Sequence, residues 1–82
     1  MKYPLYCVRD VKQAFWSPQI EMNDAVAVRN FSFMVNTNNI PAFSPNDFDF
    51  YRVGEFDSQK GTIEALDVPE FVCSGSSVFN EK

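Results

Sequence analysis

Hydrophobic and polar positions alternate near the start of the chain, and this alternation predicts a first strand. Residues 3–10 are rich in aromatic and β-branched side chains and end at a polar pair. Residues 10–13 can form a turn, after which residues 14–16 are predicted to return as a short second strand. Pro18 limits that strand to an edge or a loop because proline lacks a backbone N–H.

The spacing of apolar residues changes after residue 22 and predicts a helix over residues 23–36. Asn23 is a favoured N-cap, and Asp24 places a carboxylate at the positive end of the helix dipole. The apolar positions recur at helical spacing and form one stripe: Ala25, Val28, Phe31, Met34 and Val35, with Ala27 beside them. Two prolines and three asparagines then mark residues 37–47 as a loop.

A β-hairpin is predicted in the second half of the chain. Residues 48–56 alternate as a strand, although a bulge near Gly54 would switch which face is buried. Residues 57–61 have an Asp at the start and a Gly where a turn needs a left-handed residue, and residues 62–66 form the partner strand. From about residue 70 we expect a less ordered tail.

These elements predict one small α+β domain over residues 1–82. Its expected architecture is a small antiparallel sheet with one helix packed across it, in the order strand, short strand, helix, strand, strand. One uncovered sheet face is expected, and a homodimer or small homo-oligomer would cover it.

Charge and composition narrow the function. Seven Lys and Arg against eleven Asp and Glu give a net charge of −4, so the whole chain is repelled by phosphates and anionic lipids. There is no histidine, and we expect no enzymatic activity, no cofactor and no metal. Without a membrane span or a secretion signal, an intracellular protein is expected. The reducing intracellular compartment favours free thiols at Cys7 and Cys73, and a disulfide between them is the alternative.

Two groups of aromatic and basic residues have the composition of a surface for single-stranded nucleic acid. Stacking on bases needs rings, and contact with phosphates needs cations. The six candidates are Arg9, Lys12, Phe15, Trp16, Tyr51 and Arg52. Packing within the core or across strands is the competing interpretation, and from the residues alone it is the stronger one.

The other charged residues are expected to have structural roles and not to form a binding or catalytic site. Asp47, Asp49, Glu55 and Asp57 are expected to form a solvated acidic face, with Asp49 and Glu55 on the same side of the strand. Arg29 is expected to reach Asp49 or Glu55 from the helix and form an ion pair.

Three segments taken in order resemble the small non-structural protein of gokushoviruses, the microvirus-type phages with circular single-stranded DNA. They are YCVRD at 6–10 with Lys12, NDAVAVRNF at 23–31, and YRVGEFD at 51–57 running into GTIE at 61–64. The resemblance covers residues 3–70. It departs from the family at residues 15–22, where the family has a run of proline and phenylalanine.

The resemblance implies a non-virion accessory protein that acts in genome replication in the cytoplasm of the bacterial host. The implied activity is binding of single-stranded DNA or a part in the switch to single-stranded synthesis. We therefore expect sequence-independent binding of single-stranded DNA through the six candidate residues. The alternative is a protein-interaction module whose aromatic residues dock on a phage or host replication protein or on a capsid protein, without touching nucleic acid.

Overall fold

A four-stranded antiparallel sheet with a helix across one face forms the protein, in a computed structural model that describes residues 1–37 and 44–79. The elements are β1 (Lys2–Asp10), β2 (Gln19–Ile20), α1 (Asp24–Thr37), a 3-10 turn (Pro45–Asp47), β3 (Phe48–Asp57), β4 (Thr62–Ser74) and α2 (Gly75–Val78). The sheet order is β2-β1-β3-β4, so β1 and β3 are central. The predicted α+β class is confirmed. Part of the predicted loop at 37–47 lies outside the described residues.

Helix α1 begins as its sequence predicts. The side-chain Oδ1 of Asn23 accepts a hydrogen bond from the N–H of Val26 at 2.9 Å, which satisfies one of the free donors of the first turn. The buried positions are Ala27, Phe31 and Val35, four residues apart, so one stripe of the helix faces the sheet.

A stack of three rings joins the helix to the two central strands. The ring of Phe50 lies between those of Tyr6 and Phe31, with centroid distances of 5.1 and 4.7 Å and nearly parallel planes. All three residues are buried, together with Val8, Ala27, Val35 and Phe48. The core therefore lies between α1 and the end of the sheet formed by the second half of β1 and the first half of β3.

A β-bulge at Val53 divides the sheet into two parts. Leu5 pairs with Gly54 and Tyr6 with Arg52, which leaves Val53 without a partner in β1. A Cβ on Gly54 would lie 2.5 Å from the carbonyl oxygen of Glu64, so glycine is needed for this close approach of β3 and β4. The bulge predicted near Gly54 is thus present, and it exchanges the faces of β3.

The hairpin turn between β3 and β4 follows the sequence prediction. Gly61 has a φ of 68°, and its N–H donates to the carbonyl of Asp57. The N–H groups of Gln59 and Lys60 donate to the Asp57 carboxylate at 3.0 and 3.2 Å, and these bonds hold the pKa of that carboxyl below its ordinary value.

Strand β4 is longer than predicted. It was expected to end at residue 66 and instead continues to Ser74, followed by α2, where a less ordered tail was expected. Pro69 is accommodated because β4 is an edge strand and residues 66–69 are not paired in the ladder with β3. The continuation places Phe71 opposite Tyr51 in the sheet.

The short second strand is displaced from its predicted place. Residues 14–16 make a single bridge, between Phe15 and Arg9, and the ladder with β1 forms at β2, after Pro18. Among the described residues, no helix is long and apolar enough to cross a membrane.

Candidate nucleic-acid interface

No helix within residues 1–37 and 44–79 packs on the face of the sheet opposite α1, and we call this face the open face. Residues directly opposite each other in an antiparallel sheet project to the same side, so the strand register defines its four rows. They are Ile63–Phe56–Tyr3, Ala65–Gly54–Leu5–Ile20, Phe71–Tyr51–Cys7 and Ser74–Asp49–Arg9–Phe15. Most of these side chains are apolar or aromatic.

Three rings lie edge to face across one end of the open face, and we call them the aromatic row. The Tyr51 ring is 5.3 Å from that of Phe15 and 5.7 Å from that of Phe71, centroid to centroid. Phe15 and Phe71 are 44% and 56% exposed. The row therefore presents ring surface to solvent from three separate segments of the chain.

Arg9 supplies a positive charge beside the aromatic row. Its guanidinium carbon is 5.7 Å from the centroid of the Phe15 ring, a cation–π geometry. Asp49 is the residue opposite Arg9 in the register, so a carboxylate stands on the same face as this cation. Cys7 lies in the adjoining row and is buried, which raises the pKa of its thiol.

Lys12 and Trp16, both candidates from the sequence, lie away from the aromatic row. The Nζ of Lys12 is 3.5 Å from the Oδ2 of Asp47. Trp16 packs edge to face on Phe48, a core residue, with centroids 5.3 Å apart. Neighbouring residues of an extended segment point to opposite sides, which separates Trp16 from Phe15.

Arg52 lies on the helix side of the sheet, opposite Tyr6 in the register. Its guanidinium is 3.5 Å from a carboxylate oxygen of Glu55 and 3.9 Å from one of Asp24. The Tyr6 hydroxyl donates a hydrogen bond to Asp24. Burial and this carboxylate raise the pKa of Tyr6 well above its ordinary value. Arg52 thus belongs to a cluster at the start of α1.

The acidic residues are distributed differently from the prediction. Because of the bulge at Val53, Glu55 lies on the helix side and Asp49 on the open face. The prediction that these two residues share a face is therefore wrong. Arg29 is exposed on α1, and the residue that pairs with Glu55 is Arg52. Within residues 1–37 and 44–79, no three Cys, Asp or Glu side chains come close enough to hold a metal ion.

The structure thus brings together Arg9, Phe15 and Tyr51. It adds Phe71, which is not among the six candidates from the sequence. The signal was available in the aromatic and β-branched run at 71–73 after Pro69, but a proline in the segment argued against a continuing strand.

The fold and this surface define a small α+β sheet protein with an aromatic, solvent-facing sheet face. The chain belongs to the Phage ORF5 protein family, which matches residues 3–78. No curated protein and no solved structure matches it significantly. The expectation of a phage protein is confirmed, whereas its assignment to gokushoviruses remains a prediction.

Proposed function

We propose that the protein is a phage accessory protein of the host cytoplasm that binds single-stranded DNA during genome replication, with its aromatic row as the binding surface. The observation that carries this proposal is that Phe15, Tyr51 and Phe71 meet on the open face beside Arg9. Bases of any sequence stack on such rings, so binding does not depend on sequence.

The few charges on the open face determine how strongly the proposed DNA binding depends on salt. Arg9 is the cation of the four rows, and Asp49 faces it, while the chain carries a net charge of −4. One phosphate contact gives a slope of about −0.7 in a plot of log affinity against log salt for a single strand. The proposed binding therefore depends on stacking and changes little with salt.

The test is a fluorescence anisotropy titration of a labelled single strand of about 30 nucleotides, which exceeds the usual site size of about 4–16. Phe71→Ala removes an exposed ring of the aromatic row, and Phe33→Ala removes a ring that is 70% exposed on α1. Stacking is worth about 1–3 kcal/mol per base, so Phe71→Ala should weaken binding by about 5- to 150-fold. Phe33→Ala should leave it unchanged.

Two results would overturn the proposal. One is absence of binding by the folded wild-type protein at low salt. The other is an equal loss of affinity in the Phe71→Ala and Phe33→Ala variants, since this would place the contact outside the aromatic row. Circular dichroism of each variant verifies that the fold is intact.

The second candidate function is a protein-interaction module, and the near neutrality of the open face favours it. Arg9 and Asp49 offset each other there, and the remaining side chains of the four rows are uncharged. Such a face fits an apolar surface on a phage or host replication protein or on a capsid protein. A protein that ignores DNA but retains such a partner in a pull-down, dependent on Phe71, would support this candidate.

A further inference from the structure

The open face has a second part, at the opposite end of the strands from Arg9. It comprises the rows that contain Tyr3 and Leu5, and we call it the apolar tip: Tyr3, Leu5, Ile20, Phe56, Ile63 and Ala65. Ile63 is 67% exposed and Ile20 is 50% exposed. Leu5, in the central strand, is 5% exposed, so the solvent-facing surface is formed by the side chains around it. An apolar cluster that faces solvent in this way marks an interaction surface.

The charged residues that pair in the rows next to the apolar tip lie on the other side of the sheet. Lys2 pairs with Asp57, and Glu55 pairs with Glu64, in rows that alternate with those of the apolar tip. Three carboxylates of this end thus project toward the helix side. The apolar tip itself contains no ionisable group that is charged at neutral pH.

The molecule also exposes more surface than its mass requires. Its accessible surface is 5640 Å², about 600 Å² more than the roughly 5,000 Å² of a compact monomer of 9.4 kDa. Its extents of 43 × 23 × 18 Å show an elongated shape. The molecule therefore has surface that a partner could cover, and a stable contact needs about 600 Å² of it on each protomer.

We infer that the apolar tip is the contact between two copies of this chain, packed face to face about a two-fold axis. A two-fold contact places the apolar tip of one copy against the apolar tip of the other. Because the chain has a net charge of −4, two copies can meet in this way only where the surface is uncharged. A basic partner would require carboxylates on the open face, but the paired carboxylates at this end of the sheet lie on the helix side.

Pairing of two β4 edges is the other way to join two sheets, and the sequence of β4 opposes it. Pro69 removes a donor from the edge, and Glu64 and Glu70 give it a negative charge without any lysine or arginine in the strand. Two such edges would bring like charges together. Face-to-face packing of the apolar tips avoids this contact.

Sedimentation equilibrium from micromolar to several hundred micromolar protein tests this inference. The wild type should dimerise, and Ile63→Lys should raise the dimer dissociation constant at least about tenfold. Val68→Lys is the matched control, because Val68 is 74% exposed on the same strand and lies two residues from Glu70, which faces the helix side. It should dimerise like the wild type.

A wild-type protein that stays monomeric at all concentrations would overturn the inference, as would an equal effect of the two lysine substitutions. Neither result bears on the proposed DNA binding, because Ile63 lies outside the aromatic row. Conversely, a dimer that does not bind DNA would refute the proposed function and leave the apolar tip as the dimer contact.

Discussion

Truncation of Phe31 tests how the helix is held on the sheet. Phe31 is 2% exposed, and its ring stacks on Phe50, which stacks in turn on Tyr6. A buried Phe→Ala substitution costs about 3–5 kcal/mol, from lost burial and from the cavity left behind. A domain of this size has a total stability of about 4–12 kcal/mol, so Phe31→Ala removes a large part of it.

Urea denaturation followed by far-UV circular dichroism measures the effect. With a denaturant slope of about 1–3 kcal/mol per molar, a loss of 3–5 kcal/mol lowers the midpoint by one molar or more. Phe33→Ala makes the same substitution two residues along the same helix, at a side chain that is 70% exposed, and should change stability by less than about 0.5 kcal/mol. Similar small losses in both variants would refute the proposed core.

Three further predictions concern other parts of the fold. Because the folded-state pKa of Tyr6 is raised above its ordinary value of about 10, stability should be fully present below that pH and fall as pH rises above it, and Tyr6→Phe should reduce this alkaline loss in urea titrations. Gly61→Ala should lower the free energy of unfolding by about 1–2 kcal/mol because Gly61 is left-handed, and a thermal melt at unchanged midpoint would contradict this. Arg52→Gln should leave single-stranded DNA affinity unchanged, since Arg52 lies on the helix side, and an anisotropy titration showing a loss comparable to that of Phe71→Ala would return Arg52 to the site.

The elements that depend on local sequence could be predicted. The N-cap at Asn23 and the left-handed Gly61 each act within a few residues, and both occur where the sequence places them. The apolar spacing of α1 likewise predicted the burial of Phe31.

What could not be predicted depends on strand register. The bulge at Val53 decides that Glu55 lies on the helix side, away from the face of Asp49, because a one-residue shift exchanges the faces of a strand. Phe71 joins Tyr51 only because β4 continues past the unpaired segment that contains Pro69. Long-range pairing thus places Glu55 and Phe71, and a local pattern does not specify it. Local alternation, in contrast, separates Trp16 from Phe15 and Arg52 from Tyr51.

Amide chemical shifts of the ¹⁵N-labelled protein, mapped during titration with single-stranded DNA, would locate the DNA-binding surface residue by residue. We expect concentrated shifts at Arg9, Phe15, Tyr51 and Phe71, with little change along the exposed side of α1. Shifts centred on Arg52 and its neighbour Asp24 at the start of α1, or no shifts at saturating DNA, would contradict the proposed binding surface.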